Sequence, residues 1–461
     1  MIDTTLNRLA PYRHLFCQER SWFCFCLYVL VSMARCQSSC VTGLISEFML
    51  KISVYDRFLR LFGSLALNPD ELEAVHVRDC LKQFPQEERR VLLVDSTIVC
   101  KEGRRMPGVS SQVQSSSSNS KREFVMAHDV ENIALCVKQG NEHFAVPLIS
   151  YIRNGVVHSN RSTKTALDRV VDAICRYPEF RGAVAVVDCY YASANLARTL
   201  LDEHEVAIVT RVKSNSVAYA EPPKRRKSVR GRPRLYGDKV YLRDLTCPTP
   251  FSFRANSNGQ EHSYECHDQA LIHKGYGGLM RFIRVIRDGG SQIVLMTNDF
   301  ASTTQEVVEL YVNRWRIEEM IRDNKSLMDF GNYRFWTSAC PKSSPGRKVH
   351  THRMTHKERQ MIRFKETLYR IYLILTNISA TQLHIQRHSA PSAIWSSFPG
   401  WIRTMRPGMI PSIRVTKEAF KYELQKYCQV GRRSNKWTKY LSSCLAKGSR
   451  QDLKVTQSRA A

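Results

Sequence analysis

Residues 305–327, QEVVELYVNRWRIEEMIRDNKSL, combine helical spacing with an unusual polar stripe. The apolar side chains occupy most of the circumference of such a helix, which predicts that it packs on a core with the stripe at the edge of the buried surface. Charged side chains in that place are more typical of a site than of a solvated flank. Since an α-helix advances about 100° per residue, the residues predicted to share the polar face are Tyr311, Arg314, Glu318 and Lys325.

Charge and composition narrow the classes of partner. The 461 residues include 69 Lys and Arg against 42 Asp and Glu, a formal net charge of +27. Such an excess indicates a polyanionic partner, and nucleic acid is favoured over a membrane surface. The hydrophobic fraction of 43% is typical of a globular protein, and the length allows about three domains.

Two further features argue against a secreted or membrane protein. The 15 cysteines show no repeated spacing, so they predict reduced intracellular thiols rather than a disulfide scaffold. The apolar run of residues 22–34 is shorter than the roughly 20 residues of a membrane span, and we interpret it as a core helix. We therefore expect a cytoplasmic protein with no membrane partner.

Aspartates in apolar, strand-like runs are candidate site residues. Residues 90–99, RVLLVDSTIV, predict a buried strand that contains Asp95, and a charge inside a buried strand needs a reason. Residues 183–188, AVAVVD, predict a fully buried strand that ends at Asp188. The C-terminal end of a strand is where α/β sheets place ligand and catalytic groups. The alternation of strands and helices predicts the α/β class.

Several stretches carry weaker structural predictions. Residues 101–123 predict a loop, and residues 343–360 predict an exposed basic linker. The runs EFVMAHD (123–129), NIALCVKQ (132–139) and FAVPLISYI (144–152) predict two or three strands, of which the last pair forms a hairpin. A long amphipathic helix is predicted for residues 361–384.

The spacing of the polar stripe resembles a family signature. Tyr311, Arg314, Glu318 and Lys325 follow the order Tyr, two residues, Arg, three residues, Glu, six residues, Lys. This arrangement resembles the YREK signature of DDE transposases from bacterial insertion sequences. The resemblance implies an RNase H-like mixed sheet core, interrupted by a β-rich insertion, with helical N- and C-terminal regions.

The same resemblance implies a metal-dependent active site with three carboxylates. Asp95, Asp188 and Glu318 would be catalytic and would bind two Mg²⁺ or Mn²⁺ ions, with Asp95 bridging both. Hard cations prefer oxygen ligands, and two ions about 4 Å apart activate the nucleophile and stabilise the leaving oxygen in phosphoryl transfer. Glu319 is the competing carboxylate, but it lies about 100° around the helix from Glu318.

Basic side chains supply the predicted DNA contacts. Arg314 and Lys325 would bind phosphates beside the scissile bond, and Tyr311 would bind a phosphate or support a displaced base. Residues 230–234, RGRPR, have the form of an AT-hook, for which minor-groove insertion and general phosphate contact remain alternatives. The DNA-binding residues predicted from the sequence are Tyr311, Arg314, Lys325, Arg230, Arg232 and Arg234.

The chain is predicted to have five parts. They are a helical N-terminal region (1–88), the first part of the core (89–218), a basic β-rich insertion (219–292), the second part of the core (293–342), and a basic linker with a helical C-terminal region (343–461). For the N-terminal region, the resemblance implies DNA-end binding, and a plain packing role remains the alternative.

The predicted function is that of a DNA transposase that cuts and transfers insertion-sequence ends by cut and paste. The predicted partners are double-stranded DNA and a second copy of the chain in the DNA complex, and the bacterial nucleoid is the expected location. Two alternatives remain: a catalytically inactive, transposase-derived DNA-binding protein, and an RNase H-like structure-selective nuclease.

Overall fold

A computed structural model provides the architecture. It describes residues 1–446 except 37–39, 65, 87–88, 114–123, 141, 154–163, 214, 224–231, 258–259, 345–350, 404–407 and 430–434. Its helices are α1 Ile2–Arg8, α2 Glu19–Ala34, α3 Cys40–Glu47, α4 Ile52–Phe62, α5 Pro69–Gln83, α6 Ala166–Cys175, α7 Ala194–His204, α8 Thr304–Asn313, α9 Trp315–Leu327, α10 His356–Ser389, α11 Pro391–Ser397, α12 Ile413–Gln429 and α13 Lys436–Cys444. Its strands are β1 Val91–Cys100, β2 Ser110–Val113, β3 Phe124–Gln139, β4 Glu142–Ile152, β5 Val184–Val187, β6 Ala207–Val212, β7 Val217–Tyr219, β8 Lys239–Tyr241, β9 Phe251–Ser257, β10 Gln260–His273, β11 Gly278–Arg287 and β12 Gln292–Thr297.

All the described strands join one mixed sheet. Its order is β2-β3-β1-β5-β6-β12-β11-β10-β7-β8, with β4 paired to β3 and β9 paired to β10. The central strands β1, β5 and β6 run parallel. The predicted α/β class, with helical N- and C-terminal regions, is confirmed.

The central strands begin with apolar runs, Val91–Val94, Val184–Val187 and Ala207–Val209, because both faces of the sheet are covered there. On β1, Leu92 and Val94 join a core with α6 and α7. Leu93 lies between these two residues in the chain, so its side chain points to the other face of the sheet, where it joins a core with α8 and α9. This alternation fixes which helices each side chain of β1 and β5 meets.

The segment predicted as a β-rich insertion does not form a separate sheet. Strands β8 to β11 lie within residues 219–292 and extend the same sheet beyond β12. Two of them, β10 and β11, pair over ten residue positions, so they are longer than the short strands that the sequence predicts.

The N- and C-terminal helices share one hydrophobic core. The apolar run of residues 22–34 lies in α2 and packs with α4, α10 and α12. The Tyr28 ring meets Phe58 and Phe62 edge to face, each with centroids 5.2 Å apart. Among the described helices, none is long and apolar enough to cross a membrane.

Two local predictions were wrong, and one that left two or three strands open is settled as two. The short strand β2 lies inside the predicted loop 101–123, because it pairs with β3. The first two predicted runs form one continuous strand, since β3 pairs with β1 and β4 along its length, and β3 and β4 form the predicted hairpin. Helix α10 begins at His356, within the predicted linker, because Thr355 and Glu358 form a capping box there.

Burial of His128 predicts a pH dependence of stability. Its Nε2 lies 2.9 Å from the Pro107 carbonyl oxygen. Burial, reinforced by Lys101, lowers its pKa to about 3. Below about pH 6.5, His128 therefore binds a proton in the unfolded chain but not in the folded chain. The free energy of unfolding consequently decreases as the pH falls from 6.5 towards 3. Replacing His128 with Gln is expected to reduce the slope of unfolding free energy against pH by about 1.4 kcal/mol per unit near pH 4.5. Urea unfolding at a series of pH values measures this slope, and an unchanged slope would contradict the assignment.

Candidate active site

Strand register brings the two predicted aspartates side by side. Val94 of β1 pairs with Val187 of β5, so Asp95 and Asp188 occupy the next, neighbouring positions. Both aspartates follow the alternation of Leu93 and Val186, whose side chains lie in the core covered by α8 and α9. The Asp188 carbonyl oxygen accepts hydrogen bonds from Thr210 Oγ1 at 3.0 Å and from Tyr191 N at 2.9 Å.

Glu318 reaches the same place from α9. The guanidinium of Arg314 lies between two carboxylates: its Nη2 is 2.5 Å from Glu318 Oε1, and its Nη1 is 3.5 Å from Asp95 Oδ2. The Arg314 guanidinium also lies 6.0 Å from the centre of the Tyr311 ring. The structure thus brings the three predicted acidic residues together with Tyr311 and Arg314 of the predicted polar face.

The prediction of one uninterrupted helix over residues 305–327 was wrong. Helix α8 ends at Asn313, α9 begins at Trp315, and Arg314 joins them. The Asn313 side chain donates to the Glu309 carbonyl oxygen at 3.0 Å, and Arg314 N bonds to Tyr311 O instead of a carbonyl four residues back. The bond from Arg314 N to a carbonyl three residues back is a tighter, 3-10-type turn that interrupts the α-helical pattern.

The pKa of Asp95 indicates crowding of negative charge. Burial raises it to about 6, Arg314 and the Ser96 N–H oppose that rise, and Glu318 and Asp188 add to it. Burial also raises the pKa of Tyr311, and Asp188 contributes to that rise. These couplings indicate that Asp95, Asp188, Glu318 and Tyr311 are electrostatic neighbours.

The donor set fits a divalent metal ion in its chemistry. Three carboxylates from β1, the end of β5 and α9 offer the oxygen ligands that Mg²⁺ prefers, and their mutual repulsion is what a cation would relieve. In the described part of the chain, no three Asp, Glu, His or Cys side chains already stand in a metal-binding arrangement. Arg314 lies between two of the three donors in this structure.

A cleft of about 560 Å³ opens beside Asp95 and Glu318. Lys325 lines it and donates from Nζ to the Ile98 carbonyl oxygen at 2.8 Å, and burial lowers the pKa of Lys325. A negatively charged ligand in the cleft would meet basic groups on one wall. The lining residues are Asp95, Ser96, Thr97, Glu318, Ile321, Arg322, Lys325 and Ser326.

The arginines of the predicted AT-hook lie far from this cleft. Arg230 falls outside the described residues, whereas Arg232 and Arg234 are exposed between β7 and β8. Six strand spacings separate β1 from β7 in the sheet, which at about 4.8 Å each amounts to roughly 29 Å. These arginines therefore belong to a different surface from the carboxylates.

Sequence reasoning missed a basic residue at the site. Thr210 of β6 pairs with Val187, so the next residue, Arg211, stands beside Asp188, and its charge acts on Tyr311. The signal was the same one that marked Asp95, namely a charged residue within an apolar strand run.

Comparisons with known proteins bear on this site. A family model described as Transposase DDE domain matches residues 86–351. The matched range contains all three carboxylates and the helices and strands that carry them. No curated protein matches the chain significantly.

Proposed function

The chain belongs to the Transposase DDE domain family, and we propose on this premise that it cuts DNA at insertion-sequence ends and joins them to a target by cut and paste. The observation that supports the chemistry is the convergence of Asp95, Asp188 and Glu318: strand register sets the two aspartates side by side, and Arg314 lies between Asp95 and Glu318. Carboxylates that crowd one another at the edge of a sheet, beside an open cleft, suit metal-assisted phosphoryl transfer.

Asp95, Asp188 and Glu318 would hold the Mg²⁺ or Mn²⁺ ions, two in number. Bound metal would supply activation of the attacking oxygen and stabilisation of the leaving oxygen. The protein's own part is to hold the three carboxylates at one edge of the sheet. Arg314 lies between Asp95 and Glu318 and offsets part of their charge, and its planar guanidinium is also suited to a phosphate.

DNA is the proposed partner because the chain carries a net charge of +27 and basic groups border the cleft. Tyr311, Arg314 and Lys325 are proposed to contact DNA near the scissile phosphate. Arg232 and Arg234, together with Arg230, would contact a more distant part of the duplex. We further propose that the DNA complex contains two copies of the chain and forms at the bacterial nucleoid in the cytoplasm.

The test is Mg²⁺-dependent cleavage of DNA that carries the ends of the flanking element, with wild type beside Asp188→Asn. Cleavage by wild type that is lost in the variant would support the proposal. Binding without cleavage by both proteins would contradict it and favour an inactive DNA-binding derivative. Cleavage of branched DNA in preference to element ends would favour a structure-selective nuclease.

Lys325 is expected to contribute about one phosphate contact. The Lys325→Met variant should reduce the slope of log affinity against log salt concentration by about 0.9. Lys325→Arg keeps the charge and should retain the wild-type slope. Filter binding or fluorescence anisotropy from low to moderate salt measures the difference. Equal slopes for Met and wild type would remove Lys325 from the proposed DNA contacts.

A further inference from the structure

The catalytic strands separate just beyond the two aspartates. The pairing of β1 with β5 ends at Val94 and Val187. Beyond that point β1 continues along β3 as far as Cys100, whereas the chain after Asp188 turns into a short 3-10 helix, Cys189–Tyr191. Backbone hydrogen bonds between these two strands therefore do not fix the position of one aspartate relative to the other on this side.

A buried guanidinium connects the two diverging segments. Arg153 follows β4, and its Nη1 donates to Ser96 Oγ, the residue after Asp95, at 3.1 Å. The same guanidinium stacks on the Tyr190 ring, 4.3 Å from its centre, and lies 5.5 Å from the centre of the Tyr191 ring. A single side chain thus contacts residues that follow each catalytic aspartate.

Two carboxylates hold Arg153 in place. Its Nε lies 3.2 Å from Glu131 Oε2, and its Nη1 lies 3.4 Å from Asp129 Oδ2. Glu131 is fully buried, and its Oε1 accepts a hydrogen bond from Tyr191 Oη at 2.5 Å. The resulting cluster, which we call the brace, consists of Ser96, Asp129, Glu131, Arg153, Tyr190 and Tyr191.

The brace lies behind the carboxylates rather than among them. Ser96 follows the alternation of Leu92 and Val94, so its side chain lies on the opposite face of β1 from that of Asp95. Glu131 is the partner of Ser96 in the β1–β3 register and shares its face. Tyr191 packs in the core of that same face. Ser96 lines the cleft, and Glu131 and Tyr191 support it from the opposite face of β1.

A gain in folding stability does not by itself explain a cluster of buried ionised side chains such as the brace. Burying ions is costly, and apolar side chains of similar volume often stabilise a fold as well or better. What an ion network provides is a defined geometry, because a guanidinium holds its partners in a planar, fixed arrangement. Residues behind metal ligands typically tune metal affinity in this way.

From this geometry we infer that Arg153 is a positioning residue that sets the relative placement of Asp95 and Asp188 and thereby the affinity of the site for divalent metal. The inference rests on the proposed function, since it takes the carboxylates as metal ligands. It adds residues from β3, the end of β4 and the turn after Asp188 to the site, with a role in placing the carboxylates.

The test compares Arg153→Met with a matched control, Arg387→Met. Arg387 is also nearly buried, pairs with a glutamate (Glu142, 2.6 Å) and lies over an aromatic ring (Phe144), but it contacts neither aspartate segment. The direct readout is binding of Mn²⁺ to the protein without DNA, followed by electron paramagnetic resonance. The Mg²⁺ concentration for half-maximal cleavage and the DNA affinity are measured alongside.

Arg153→Met is expected to raise the Mn²⁺ dissociation constant and the Mg²⁺ requirement at least about tenfold, with DNA affinity unchanged. Arg387→Met is expected to bind Mn²⁺ like wild type even if it loses stability. Arg153→Lys keeps the charge and tests the case in which the Met variant does not fold. Its single ammonium lacks the planar fork that spans Ser96 and Glu131, so metal binding should remain weakened.

The measurements distinguish failure of the positioning inference from failure of the proposed function. If wild type binds Mn²⁺ and cleaves DNA, and a folded Arg153 variant binds Mn²⁺ as tightly, the positioning inference alone is overturned. If both arginine variants weaken Mn²⁺ binding equally, the effect is one of general stability and the inference is again overturned. If wild type neither binds Mn²⁺ nor cleaves, the proposed function fails together with the inference.

Discussion

Replacing Glu318 with Gln is expected to lower the rate of DNA cleavage by about 10³-fold while DNA affinity is retained. The amide keeps the size of the side chain but loses the negative charge that a divalent metal would require. A metal ligand contributes several kcal/mol of transition-state stabilisation, and about 4 kcal/mol corresponds to that change in rate. Single-turnover cleavage of labelled element ends measures it.

The adjacent Glu319 provides the control. The side chains of Glu318 and Glu319 are 34% and 33% exposed, and each pairs with an arginine on the same segment. Glu319 pairs with Arg316 at 2.7 Å, away from Asp95, so Glu319→Gln is expected to leave cleavage nearly unchanged. A larger loss in Glu319→Gln than in Glu318→Gln would reverse the assignment of the catalytic glutamate.

Replacing Asp329 with Asn is expected to lower the free energy of unfolding by about 3 kcal/mol, because it breaks a buried ion pair. Arg35 Nη2 lies 3.3 Å from Asp329 Oδ2, and both side chains are almost fully buried. Arg35 also donates to the Met328 carbonyl oxygen, so it ties the N-terminal helices to the end of α9. Asn tolerates the left-handed backbone that Asp329 adopts, φ +57°, and the substitution therefore isolates the charge.

Lys417 is buried near the same pair, and burial, with Arg35 as the second cause, lowers its pKa to about 7. Since Asp329 favours the charged form of Lys417, its loss favours the neutral amine, and the Arg35 guanidinium is left without the Asp329 carboxylate. The double variant Arg35→Met with Asp329→Asn should be less destabilised than the sum of the two single variants.

Urea unfolding of these variants measures the effect. Asp244→Asn serves as the control, because Asp244 pairs with Arg243 on the surface, where both side chains are more than 60% exposed and a pair contributes about 0–1 kcal/mol. Additive losses in the double variant, or a loss for Asp329→Asn as small as that for Asp244→Asn, would show that the buried pair does not anchor α9.

The sequence predicted the elements that local pattern determines. An apolar run that ends in an aspartate predicted strand β5 and the position of Asp188. A charged residue inside an apolar run identified Asp95. Both patterns arise because the strands are buried on both faces of the sheet. The break at Arg314 was not predicted, since the spacing of apolar and polar residues is helical on both sides of it.

Long-range pairings were harder to predict. Nothing local in β10 and β11 reveals that they continue the catalytic sheet, because that depends on which distant strand their edges meet. The contacts of Arg153 were missed for the same reason. Its partners come from β1, β3 and the turn after Asp188, and no spacing along the chain connects them.

The single sheet also has a consequence for how the protein folds. Strand β1 pairs with β5 although the β3–β4 hairpin and α6 lie between them in the chain. Strand β6 likewise pairs with β12, and strands β7 to β11 separate the two in the chain. Such pairings between distant segments carry a high cost in loop entropy and fold slowly. The hairpins of β3–β4 and β10–β11 form from neighbouring residues, so they are expected early. The edge that bears Asp95, Asp188 and Glu318 is then among the last parts to assemble, and a chain still in synthesis carries DNA-attracting charge before it carries a complete catalytic site.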